Sequence, residues 1–141
     1  MALQLSTGLR NARLDDIKKF GANSTTSPTM AIFGNATVPA DCQTANAGTL
    51  ICTIPCSGNA DWMNTAASGA HSKNAGLTWT NASAGTSNVA TYFRIFSSNA
   101  TNESNVIMQG NVTHDLVLDN TDIAAGQQVT VTSFVITDGN A

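Results

Sequence analysis

The stretch Val89-Ala90-Thr91-Tyr92-Phe93-Arg94-Ile95-Phe96 decides how this chain folds. Side chains alternate across a strand, so Tyr92, Arg94 and Phe96 take one face while Thr91, Phe93 and Ile95 take the other. The stretch holds the only Tyr of the chain and two of its five Phe. Bulky groups on both faces predict a strand covered on both sides, not one with a solvated back. It is expected to be the central strand of a β core, with Arg94 an inward or interface charge that needs a partner.

Working outward, short apolar runs stand between turn residues. Met30 to Phe33 is stopped by Gly34, and Thr49 to Ile54 is ended by Pro55. Leu77 to Thr80 carries Trp79, and Val106 to Val112 is interrupted at Gly110, where a bulge is expected. Leu116 and Leu118 alternate with Asp115 and Asp119, and Val129 to Thr137 is a further strand. Seven or eight such strands predict an all-β fold, an antiparallel β-sandwich or jelly-roll-like body. Ser57 to Gly76 is rich in Gly, Ala, Ser and Asn and reads as a long surface loop. Trp62 is expected to pin that loop down. On a surface of Asn, Ser and Thr it is also a candidate ligand platform for sugar.

Residues 1–22 differ from the remainder. Leu3 and Leu5 alternate with Gln4 as a short apolar arm. Ser6 or Thr7 can then cap a helix from about Gly8 to Phe20, stopped by Gly21, with Lys18 and Lys19 in the last turn where the dipole favours cations. Leu9, Ala12, Leu14, Ile17 and Phe20 cover a broad arc with Arg13 near its middle. Arg13 either snorkels to water or meets a carboxylate of another subunit. Leu3, Leu5, Leu9, Arg10, Arg13, Leu14, Ile17 and Phe20 are therefore the candidate interface. Residues 23–29 are a Ser/Thr-rich linker containing Pro28, and 30–141 form the body.

Length and composition narrow the function. A chain of 141 residues is expected to be one domain with a real core. Charged residues make up 11%, under half the usual share, so the polar surface is built from Ser, Thr, Asn and Gly. A net charge of −3 and scattered Lys and Arg argue against nucleic acid. No apolar run is long enough to span a membrane. The N-terminus lacks the basic and apolar regions of a signal peptide, so synthesis in the cytoplasm is expected. The N-x-S/T triplets at Asn23, Asn35, Asn81, Asn99, Asn102 and Asn111 then reflect composition, not glycosylation.

Catalytic constellations are missing from the sequence. It holds no nucleophile elbow, phosphate loop or H-E-x-x-H, and Glu103 is its only Glu. His71 and His114 lie in different surroundings. Cys42, Cys52, Cys56 and His71 match no closed zinc pattern, so neither a metal nor a cofactor is expected. Free, small, buried thiols are expected in a reducing cytosol, with Cys42–Cys52 and Cys42–Cys56 as candidate disulfides.

Leu3-Gln4-Leu5-Ser6-Thr7-Gly8-Leu9-Arg10-Asn11-Ala12 resembles the opening L-x-L-S-T-G-L-R-N-A of small virion structural proteins of tailed bacteriophages. The likeness continues in outline through Ala31-Ile32-Phe33-Gly34, Gly48 to Ile54, Thr91 to Ile95, Asp115 to Asp119 and Ile123 to Val131. The turn Phe33 to Pro39 is looser than in that family, and the three Cys depart from it. The resemblance implies a non-catalytic virion component, assembled on the phage particle. The first expectation is a capsid decoration (cement) protein, self-associating as a homotrimer and bound to the major capsid protein on the outside of the head. The alternative is a tail fibre or other tail-associated subunit that binds tail proteins or host surface glycans.

Overall fold

The computed structural model describes residues 4–21, 26–97 and 103–138, without the side chains of Phe20, Gly21 and Glu103. Among these residues it contains one α-helix, α1 (Thr7–Gly21), two single-turn 3-10 helices, and nine strands: β1 (Thr29–Gly34), β2 (Thr49–Pro55), β3 (Ala70–Ser72), β4 (Thr80–Asn81), β5 (Asn88–Phe96), β6 (Val106–Asn111), β7 (Leu116–Leu118), β8 (Asp122–Ile123) and β9 (Val129–Thr137). The fold is mainly β, with two antiparallel sheets in a sandwich-like arrangement. The first sheet runs β2-β1-β5-β6, with β8 joined to the start of β5. In the second, β9 is paired by β4 at its start, β7 along its middle and β3 at its end.

The central strand is β5, and it is buried on both faces from Tyr92 to Phe96. Phe93 and Ile95 enter the main core between the sheets with Met30, Ile32, Trp62, Trp79 and Phe134. Phe93 meets Phe134 edge-on with ring centroids 5.6 Å apart, and Trp62 stacks on Trp79 at 5.7 Å. Tyr92 and Phe96 form a second, smaller core with Ala31 and Phe33 on the opposite face. The segment 35–48 covers that face. Ala36 and Val38 pack against it, the Tyr92 hydroxyl bonds Asn46 Oδ1, and Arg94 Nη2 donates to the Thr44 carbonyl at 2.6 Å. Arg94 is thus an inward charge whose guanidinium is spent on loop carbonyls, which ties the cover to the strand.

Three details depart from the sequence reading. The stretch expected to be loop throughout contains β3, whose central residue His71 is buried. The expected strand at Leu77 to Thr80 is displaced, with pairing confined to Thr80–Asn81. The irregularity in β6 falls opposite Ile95 and Phe96 and not at Gly110. Gly110 is fixed by space instead. A Cβ there would lie 2.6 Å from Asp115 Oδ2 and 2.9 Å from the Phe93 ring. In β9 a register shift opposite Val117 and Leu118 breaks simple alternation. Val129, Val131 and Phe134 are buried while Val135 is turned to solvent.

Candidate functional site on the docked helix

Helix α1 begins where its sequence allows. Ser6 Oγ accepts the N–H of Leu9 at 3.2 Å, and the Ser6 carbonyl accepts that of Arg10 at 3.1 Å, which caps the first turn. The helix then lies on the segment between β2 and β3, and polar atoms hold it there. Asn11 Oδ1 accepts the Gly69 N–H and Asp15 Oδ1 accepts the Ala66 N–H, both at 2.8 Å. Arg10 Nη1 donates to the Asp138 carbonyl at 2.8 Å. The buried indole of Trp62 donates from Nε1 to the Lys18 carbonyl at 3.1 Å, satisfying one of the carbonyls that a helix end leaves free. His71 Nδ1 lies 2.9 Å from the Leu14 carbonyl. A carbonyl only accepts, so Nδ1 carries the proton.

Leu14 is the apolar residue this face buries, and Lys18 adds an ion pair to Asp61 at 3.1 Å. Gly69 has φ +74°, a backbone conformation that favours glycine, and a Cβ on it would fall 2.5 Å from Arg10 Nη1 and push that guanidinium aside.

The opposite face is free. Leu9 is 49% exposed and Ala12 and Asp16 are exposed. Arg13, whose side chain is 58% exposed, reaches Asp138 at 3.4 Å. Below it runs a shallow groove lined by Arg13, Asp16 and Ile17 of α1, Ile136 of β9 and Ile107 of β6.

The candidate interface therefore divides. Leu9, Arg13 and Ile17 lie on or beside the open face, and Leu5 is half-buried ahead of the helix. Arg10 and Leu14 do not belong to a free surface, because they are engaged by the chain's own body. Leu3 and the Phe20 side chain lie outside the described residues. Asn11, and Asp15, which together with Asp16 the sequence reads as a solvated face, make the closest contacts to the loop. Their signal in the sequence is that Asn and Asp occupy the helix face adjoining Leu14, a place that apolar residues usually fill.

Trp62 is corrected as a ligand platform. Its relative exposure is 0%, so neither ring face is open to a sugar, and it acts as the anchor of its loop. The three thiols are free, with Cys52 and Cys56 in the main core and Cys42 in the covering segment. The disulfide candidates are thus absent from this structure. Burial pushes the Cys52 thiol up to about 11 and the Cys56 thiol higher still, which removes both as nucleophiles at neutral pH. In the covering segment, the hydroxyl and N–H of Thr44 hold the exposed Asp41 carboxyl below its usual range.

Among the described residues no group of three or more His, Cys, Asp or Glu is placed to hold a metal ion, and no helix is long and apolar enough to cross a membrane. No protein-family model, curated protein or solved structure matches the chain.

Proposed function

We propose that this chain is a structural protein of a tailed-bacteriophage virion, and specifically a capsid decoration protein that binds the outer surface of the head and stabilises it. The observation that carries the reading is the L-S-T-G-L-R-N-A opening, Leu5 to Ala12, with the family it resembles. Those residues form the cap and first turns of α1. Exposed apolar members among them, Leu9 and Ala12, sit near Arg13 and can meet a capsid subunit without unfolding the helix. Such a surface needs only modest area per copy, since many equivalent contacts act together on a particle.

The mechanism is clamping without chemistry. The open helix face docks on a neighbour, and the sandwich, with its uncharged Ser, Thr and Asn surface, faces the medium. Quantitative staining of purified virions tests the reading. A copy number near that of the major capsid protein is expected. A few copies per particle overturns decoration and assigns the chain to the tail.

A further inference from the structure

The seat of α1 is built from residues far away in the sequence. Arg10 Nη1 donates to the Asp138 carbonyl across 128 residues, and Arg13 pairs with the Asp138 carboxylate at 3.4 Å. The rest of the seat is the segment 63–73, which folds back on itself through bridges at Met63–Lys73 and Ala67–Ala70. Its returning limb is β3, three residues long, and among the described strands only β9 pairs with it. A hairpin this short is marginal by itself in water. The end of β9 holds it, with the Lys73 N–H on the Phe134 carbonyl at 2.8 Å and the Asp138 N–H on the Gly69 carbonyl at 2.9 Å. Bonded pairs alternate along an antiparallel ladder, so Ile136 and His71, which face each other midway, exchange backbone bonds as well.

The helix is held at the same residues that make this ladder. Gly69 gives its carbonyl to Asp138 and its N–H to Asn11, and His71 gives its backbone to Ile136 and its ring N–H to the Leu14 carbonyl. Ala66, beside the turn of the hairpin, donates to Asp15. Without the end of β9 the hairpin has no strand to lie on, and Arg10 and Arg13 lose Asp138. Nothing else fixes the helix in advance. Fifteen residues alone are marginal as a helix in water, and among the described side chains of α1 only Leu14 is buried.

We propose that α1 is a latch that closes over the β3–β9 ladder and seats only after the end of β9 has paired. The helix is synthesised long before β9, so it waits through most of chain growth. The first sheet can form meanwhile, since β2, β1, β5 and β6 pair with one another without α1. A chain in which β9 is unfinished or displaced does not hold the open face of α1, with Leu9 and Arg13, in its final orientation. Presentation of that face is thereby tied to completion of the second sheet. The inference concerns the order of closure and holds whether or not the chain belongs to a virion.

Amide exchange read residue by residue in the native protein tests it. The Ala66 and Gly69 N–H groups report the seated helix, because their acceptors are side chains of α1, and the amides of β5 report the first sheet. Ile136→Pro removes the middle bond of the ladder, whereas Ile136→Ala also loses the isoleucine side chain but keeps the N–H. Ala66 and Gly69 are expected to exchange about tenfold faster in the Pro variant than in the Ala variant, with β5 alike in both. Equal rates at Ala66 and Gly69 in the two variants, or an equal rise in β5, overturn the proposal. If Ile136→Pro does not fold, pulse labelling during refolding of the unaltered chain decides. Protection of the ladder amides of Lys73 and Asp138 ahead of Ala66 and Gly69 supports the latch. Protection of Ala66 and Gly69 at the same time or earlier overturns it.

Discussion

The contact between the two sheets and the contact between α1 and its loop are built from opposite materials. Between the sheets, Trp62, Trp79, Phe93, Phe134 and the aliphatic residues around them exclude water and make few directed bonds. Under the helix one leucine is buried, and the fit is fixed by hydrogen bonds donated by Arg10, Trp62 and His71 and accepted by Asn11 and Asp15. Apolar burial supplies most of the stability of a fold, at about 25 cal/mol per Å². Bonds exchanged for water return about 1 kcal/mol each, but they fix orientation and are costly to break one-sidedly. The sheets hold the molecule together, and the helix contact determines how its outer face is presented.

The largest expected loss comes from the side that carries the stability. Trp79→Ala empties the centre of the core and should cost about 3–5 kcal/mol, read as a drop in the denaturation midpoint with unchanged cooperativity. A loss near 1 kcal/mol would mean that the sheets depend less on their aromatic centre than the contrast requires. Leu14→Ala should cost about 2–3 kcal/mol and destabilise the helix contact first, seen as faster amide exchange in α1 than in β5. Equal rates in both would merge the two regions into one cooperative unit.

Asn11→Ala leaves the Gly69 N–H without its acceptor and should cost about 1 kcal/mol. An unchanged midpoint would show that the polar contacts add nothing. Leu9→Ser, on the open face, should stay within about 0.5 kcal/mol in stability and, under the decoration reading, still abolish particle binding. The smallest effect is electrostatic. The Asp41 pKa is depressed, so its contribution is complete above the ordinary carboxylate value of 3.8 and fades as pH falls through the lowered value. A carboxyl titration by NMR should find Asp41 ionising below the ordinary carboxylate value.

Much of the sheet region was legible in the letters. Tyr92, Phe93, Ile95 and Phe96 name both faces of β5, and two cores lie where those faces point. The helix was legible at its ends, from the Ser6 cap to Gly21. Its attachment was not. Periodicity detects faces only when they are apolar, and the docked face of α1 is marked by Asn11, Asp15 and two backbone carbonyls. For the same reason residues 1–22 read as an arm ahead of a separate body, although the helix is bonded to that body along its length. Removing residues 2–21 would strip hydrogen-bond partners from Trp62, His71, Ala66 and Gly69. Strand β3 was hidden likewise, because a Gly-, Ala- and Ser-rich stretch shows no alternation and only His71 marks its buried centre.

The stack of Trp62 on Trp79 also turns the molecule into its own gauge. These are the only two indoles in the chain, one of them bonded to the helix and the other seated between the sheets. Lifting the helix would free one indole N–H and disturb the pair, changing near-ultraviolet dichroism and tryptophan emission while the sheets stay intact. Whether α1 remains seated when the protein meets a partner can thus be followed in solution without attaching any label.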